Sequence, residues 1–103
     1  MDTQIKKGLL EVCVLTVLRE KDSYGYQIIR DVSSCIAISE STLYPILKRL
    51  EGSGCLTTYS VEHQGRLRKY YRITQQGMDK ITAFLQEWEE VMQVYQFIKE
   101  GSI

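Results

Sequence analysis

Apolar and polar residues recur along this chain in distinct rhythms, and each rhythm predicts an element. Across residues 5–19, Leu9, Leu10, Val12, Cys13, Val14, Leu15, Val17 and Leu18 cover nearly the whole circumference of a helix. A helix that is apolar all round is a buried one. Asp22-Ser23 reads as the next N-cap, and Tyr24, Ile28, Ile29 and Val32 keep helical spacing as far as Ser33-Ser34. Residues 35–38 are too few for a helix and read as an extended connector. Ser39 is a further N-cap, followed by Leu43, Ile46, Leu47 and Leu50 at i, i+3, i+4 and i+7, with Gly52 or Gly54 as the stop. Ser41, Pro45 and Lys48 fall on the opposite side of that helix, flanked by Tyr44 and Arg49.

The rhythm then changes. Residues 55–62 and 67–73 are rich in Thr, Tyr, Val and Ile and read as two strands, joined by a hairpin loop at 63–66. In the second strand Arg68, Tyr70 and Arg72 point one way, and Leu67, Lys69, Tyr71 and Ile73 the other. Thr74 caps the last helix, in which Met78, Ile81, Leu85, Trp88, Met92 and Tyr95 step by three and four residues. This is a heptad seam, widened by Phe84, Val91 and Ile98. One small domain offers little core for so long a stripe, so part of it is expected to meet a second copy of the chain. Three helices, a β-hairpin and a further helix predict a mainly α fold with a small β-hairpin (α+β). It is a winged helix-turn-helix over residues 1–76, with a C-terminal dimerisation helix over 77–103.

Composition changes this picture little, and charge changes it more. The 103 residues, 44% hydrophobic and 25% charged, fit one small globular domain. No apolar run reaches the roughly 20 residues of a membrane span, and the N-terminus has no secretory signal, so a cytoplasmic protein is expected. Thirteen basic and thirteen acidic residues cancel. Residues 41–77, however, carry Lys48, Arg49, Arg66, Arg68, Lys69 and Arg72 against Glu51 and Glu62, a local excess that suits a phosphate partner. Cys13, Cys35 and Cys55 show no C-x-x-C spacing and read as free, buried thiols. With His63 the only histidine, no metal or cofactor site is expected, and no nucleophile–base pair or Gly-rich phosphate loop suggests an enzyme.

The segments YGYQIIRDV (24–32), STLYPILKRLEGSG (41–54), RLRKYYRIT (66–74) and QQG (75–77) resemble the PadR family of bacterial transcriptional regulators. The TLYP…LKRLE…G block followed by RKYYR-T is specific. Ser41 stands where family members often have Gly. The resemblance implies a winged-helix DNA-binding domain, a homodimer joined largely through the C-terminal helix, and repression of a nearby operon. With one helix after the wing, the chain is similar to the short subfamily.

Within that frame the third helix is the candidate reader of a double-stranded DNA operator. Ser39, Ser41 and Thr42 can donate to phosphates or base edges, and Tyr44 can touch a phosphate or a thymine methyl; Lys48 lies one turn further on. Pro45, on the exposed side, shapes the helix start and is not itself a reader. Arg66, Arg68 and Lys69 sit where a wing would straddle phosphates. Tyr70 is a further candidate contact, whereas Tyr71 shares a face with Ile73 and is expected to pack. Ile81, Phe84, Leu85, Trp88, Val91, Met92 and Tyr95 are the expected dimer seam. Trp88 and Met92 are also candidates for holding a small lipophilic effector, the alternative being a closed, packed seam. The competing function is a winged helix used only for protein–protein contact, against which the basic middle segment argues.

Overall fold

A computed structural model describes residues 1–101; positions 102 and 103, the end of the predicted C-terminal segment, lie outside the described residues. Among the described residues the chain forms α1 (Thr3–Glu20), β1 (Ser23–Tyr24), α2 (Gly25–Ser33), α3 (Glu40–Gly52), β2 (Leu56–His63), β3 (Arg66–Ile73) and α4 (Gln75–Glu100). The strands make one antiparallel sheet in the order β1-β3-β2. This is the expected α+β winged helix with one strand more than the pattern predicted.

Asp2 starts α1 by accepting the Gln4 and Ile5 backbone N–H groups with its carboxylate. The first turns, through Gly8, are exposed. Burial all round, expected from the pattern, is therefore confined to the C-terminal half. There Leu10, Val12, Val14, Leu15 and Leu18 enter the core, and Cys13 and Val17 pack at its edge.

Asp22 and Ser23 do not cap α2, contrary to expectation. Tyr24 holds the cap position and gives no side-chain bond. Ser23 and Tyr24 instead pair with Tyr71 and Tyr70 of β3, because the sheet offers their backbone a ladder that local propensity cannot anticipate. Ser23 is buried, and its hydroxyl finds no hydrogen-bond partner among the described residues.

In α3 the predicted stripe is the core: Leu43, Ile46, Leu47 and Leu50 are all buried. With Ser39 at the N-cap, Pro45 falls in the second turn, and its missing N–H frees the Ser41 carbonyl on the exposed side, where water can take it. The helix ends in a Schellman motif: Gly54 N–H donates to the Glu51 carbonyl and Cys55 N–H to that of Leu50, with Gly54 at φ 82°.

The hairpin is tighter than the four-residue loop predicted. His63 pairs with Arg66, leaving Gln64 and Gly65 as the turn. Both have positive φ, 52° and 79°, as a type I′ turn requires. At the foot of the wing, Thr74 accepts the Gly77 N–H at 3.2 Å and donates to the Gly54 carbonyl at 2.6 Å, capping α4 as expected. A Cβ on Gly77 would lie 2.6 Å from both the Cys55 carbonyl oxygen and Ile73 Cγ1, so α4 starts flush against the sheet.

One carboxylate ties three helices together. Glu11 of α1 accepts Arg49 of α3 at 2.7 Å and Lys80 of α4 at 3.3 Å. Arg49 stays exposed beside the outer face of α3, as the pattern put it, and its charge is taken up by Glu11. Ile81 is buried and Phe84 half-buried, but beyond Trp88 every residue of α4 is exposed, apolar ones included. At 1.5 Å per residue the 26 residues of α4 run about 39 Å, in a molecule 63 Å along its longest axis.

Candidate nucleic-acid interface

The first turn of α3 presents a cluster of hydroxyls. Ser39 Oγ lies 3.0 Å from Ser41 Oγ and donates to Thr42 Oγ1 at 3.2 Å. Because a hydroxyl has one proton, Ser41 must be the donor to Ser39, and the Thr42 proton remains available. Ser39 thus occupies the cap position, but its hydroxyl serves its neighbours and leaves the helix amides uncapped. Ser41, Thr42, Tyr44, Pro45 and Lys48 are all exposed. The core holds the opposite side of the helix, so this face is available to a partner.

On the wing, three rings form a row across the sheet, one per strand. Tyr70 of β3 meets Tyr24 of β1 edge-on at 5.5 Å and stacks on Tyr59 of β2 at 5.6 Å and 13°. Arg68 caps one end, 4.0 Å above the Tyr24 ring, and Arg72 the other, 5.0 Å from that of Tyr59. Asp22 closes the row, accepting the Tyr59 hydroxyl at 2.7 Å and Arg72 Nε at 3.1 Å. The hydrogen bond to that carboxylate pushes the Tyr59 phenol upward. Tyr70, a candidate contact by sequence, is half-buried in the middle of this row. Tyr71 faces the other way and is buried, with its phenol pushed up by burial and then by Tyr44 and Glu51.

Charge is sorted by these contacts. Of the six cations in the basic middle segment, Arg49 pairs with Glu11, Arg72 with Asp22, and Lys69 with Glu51 at a long 3.8 Å. Among the described residues, Lys48, Arg66 and Arg68 have no carboxylate within 4 Å. Lys48 is exposed as expected, whereas Arg68 is half-buried against Tyr24.

Two further cations belong to this surface and were missed by sequence reading. Lys6 and Lys7 of α1 share an open groove of about 830 Å³ with Ser39, Ser41, Thr42 and Pro45. No signal in the sequence joins them to α3, since only tertiary packing does so.

The seam residues divide between two environments. Ile81 is buried, Phe84 and Trp88 are half-buried with their rings 5.8 Å apart, and Leu85, Val91, Met92 and Tyr95 are exposed. Val94, Phe97 and Ile98 extend the exposed apolar surface around the end of α4.

Of the three thiols expected to be buried, only Cys55 is. Cys13 is half-buried and Cys35 exposed, because the connector after α2 runs over the surface. Burial, and then the neighbouring Cys35 thiol, pushes Cys13 upward. Among the described residues no three His, Cys, Asp or Glu side chains gather as metal ligands, and no helix is long and apolar enough to cross a membrane.

Residues 14–83 match the model of the Transcriptional regulator PadR-like family. A protein of Streptococcus mutans, known from its crystal structure, is 43% identical and superposes with a TM-score of 0.80, covering 94% of this chain and 92% of its own. A PadR family transcription regulator from Clostridium difficile is 32% identical with a TM-score of 0.77, over 86% of this chain and 97% of its own. An uncharacterised protein of Lysinibacillus sphaericus is 35% identical over 104 residues, 96% of this chain and 95% of its own length.

Proposed function

Because the chain belongs to the PadR-like family of transcriptional regulators, whose fold is a DNA-binding winged helix and not an enzyme, we propose that it is a cytoplasmic homodimeric repressor of a pseudo-palindromic operator. In this reading the two α3 helices enter successive major grooves, about 34–36 Å apart, and the wings lie on the flanking backbone. Ser39, Ser41, Thr42, Tyr44 and Lys48 are the groove contacts. Arg66, Arg68 and Lys69 are the wing contacts, and Lys6 and Lys7 add phosphate contacts beside the α3 N-terminus. Tyr70 acts by stiffening the wing more than by touching DNA, since its ring is held between two others.

The observation that carries this reading is the sorting of charge. Arg49 and Arg72 are paired with carboxylates, while Lys48, Arg66 and Arg68, uncommitted among the described residues, remain on the helix face and the wing. Dimerisation through α4 is supported by the exposed apolar residues from Leu85 to Ile98, which a second copy would bury. A small lipophilic effector would enter between the paired helices and meet Trp88 and Met92.

The test is a gel shift of the protein against its own upstream DNA across salt concentrations. Phosphate neutralisation predicts tight binding that weakens steeply with salt. Binding indifferent to salt, or no preference for that DNA over an unrelated duplex, would refute it.

A further inference from the structure

The geometry points to a slot for a single duplex backbone phosphate between the head of α2 and the root of the wing, formed by Tyr26, Tyr44, Arg68 and Lys69. This rests on the DNA-binding reading and adds to it one residue, Tyr26, and one specific contact.

The slot exists because β1 is so short. Only Ser23 and Tyr24 pair with β3, opposite Tyr71 and Tyr70. The chain then turns into α2, so the next two residues of β3 toward the tip, Arg68 and Lys69, have no strand beside them on that edge. A cleft of about 310 Å³ fills the gap, with Gly25 and Tyr26 on one side, Tyr44 on another, and Arg68 and Lys69 on the third. Gly25 leaves room here for the Tyr44 hydroxyl, which a Cβ would displace. The phenol lies over the start of α2.

The chemistry of the walls selects the ligand. Two cations, Arg68 and Lys69, and four tyrosines, Tyr24, Tyr26, Tyr44 and Tyr71, line the cleft, and no carboxylate does. Lys69 is only loosely engaged with Glu51, at 3.8 Å, and Arg68 is held by the Tyr24 ring with its donors unspent on any anion. Such a set matches a phosphodiester, which accepts hydrogen bonds and carries one charge. Position favours a duplex as the source: Tyr44 comes from α3 and the cations from the wing, so a backbone reached by both elements passes over the cleft. Tyr26, 61% exposed, stands at its rim, where a strand would cover it.

The decisive experiment compares Tyr26→Glu and Tyr26→Phe with the wild-type chain on operator DNA. Tyr26→Glu puts a negative charge in the slot and should reduce the steepness of log K against log[salt] by about 0.9 per subunit, roughly 1.8 per dimer. It should also erase one ethylation-interference site in each half-site. Tyr26→Phe keeps ring and charge, so it should lower affinity roughly two- to ten-fold with the slope unchanged. A Tyr26→Glu protein with wild-type slope and interference pattern overturns the slot while leaving the DNA-binding reading intact. A wild-type chain that binds no duplex at any salt overturns both. Inorganic phosphate at matched ionic strength is the remaining arm: a Tyr26-dependent thermal shift without DNA would assign the slot to a free anion and overturn the duplex assignment.

Discussion

Replacing Glu11 with glutamine tests whether one shared carboxylate joins α3 to the C-terminal helix. The Glu11 side chain is 13% exposed and takes Arg49 Nη2 at 2.7 Å, Arg49 Nε at 3.0 Å and Lys80 Nζ at 3.3 Å. Glutamine keeps the shape and one acceptor oxygen but removes the charge. A charge-assisted bond contributes about 1.5–3 kcal/mol and an exposed ion pair about 0.2–1 kcal/mol. Arg49 and Lys80 are each over 40% exposed and can turn to water, so the loss belongs between these ranges, about 1–2 kcal/mol. For a domain of this size that is a fall in Tm of roughly 5–15 °C.

The same carboxylate fixes the sign of a pH effect. Burial opposes ionisation, but Arg49 and Lys80 outweigh it and hold the Glu11 carboxyl below its ordinary value. A depressed carboxylate stabilises the fold above its unfolded pKa, about 4.3, and loses that contribution as pH falls through the folded value. The gap between wild type and Glu11→Gln should therefore be full at pH 7, start to close below about pH 5 and vanish in stronger acid. Thermal unfolding followed by circular dichroism at fixed protomer concentration measures it. Equal Tm values at pH 7, or a gap that persists unchanged into acid, would refute the account of Glu11 as a charged hub.

Other consequences can be checked alongside. Lys48→Ala should weaken operator binding and flatten the salt dependence by about 0.9 per subunit, with unchanged circular dichroism, because Lys48 is exposed and unpaired among the described residues. Truncation before Glu87 should yield a monomer by light scattering with poor operator affinity; a shortened chain that still dimerises would show that the interface lies elsewhere. Gly77→Ala forces a methyl against the Cys55 carbonyl and Ile73 and should cost about 1–3 kcal/mol in urea unfolding, despite the better helix propensity of alanine.

Much of this was legible in the sequence wherever a periodic face meets one core. The i, i+3, i+4, i+7 spacing of Leu43, Ile46, Leu47 and Leu50 named the buried side of α3 without error, and Thr74 announced α4. What escaped was set by partners distant along the chain. Two residues of β1 carry no periodicity, so Ser23 looked like a cap until β3 supplied its ladder. The ion pairs of Arg49 and Arg72 were hidden because Glu11 lies 38 positions from the one and Asp22 50 from the other. The candidate site was half visible for the same reason. Tyr44, Lys48 and Arg68 followed from face and alternation, whereas Lys6, Lys7 and Tyr26 join the surface only through tertiary packing.

The ring row at the root of the wing bears on flexibility. A hairpin fastened at its base by Tyr24, Tyr70 and Tyr59, with an arginine at each end, is a stiff probe and not a compliant arm. On the proposed reading it arrives at the double helix already in its working pose and loses little freedom on landing. Adjustment then falls to the nucleic acid, whose own bendability would set which spacings between half-sites are tolerated.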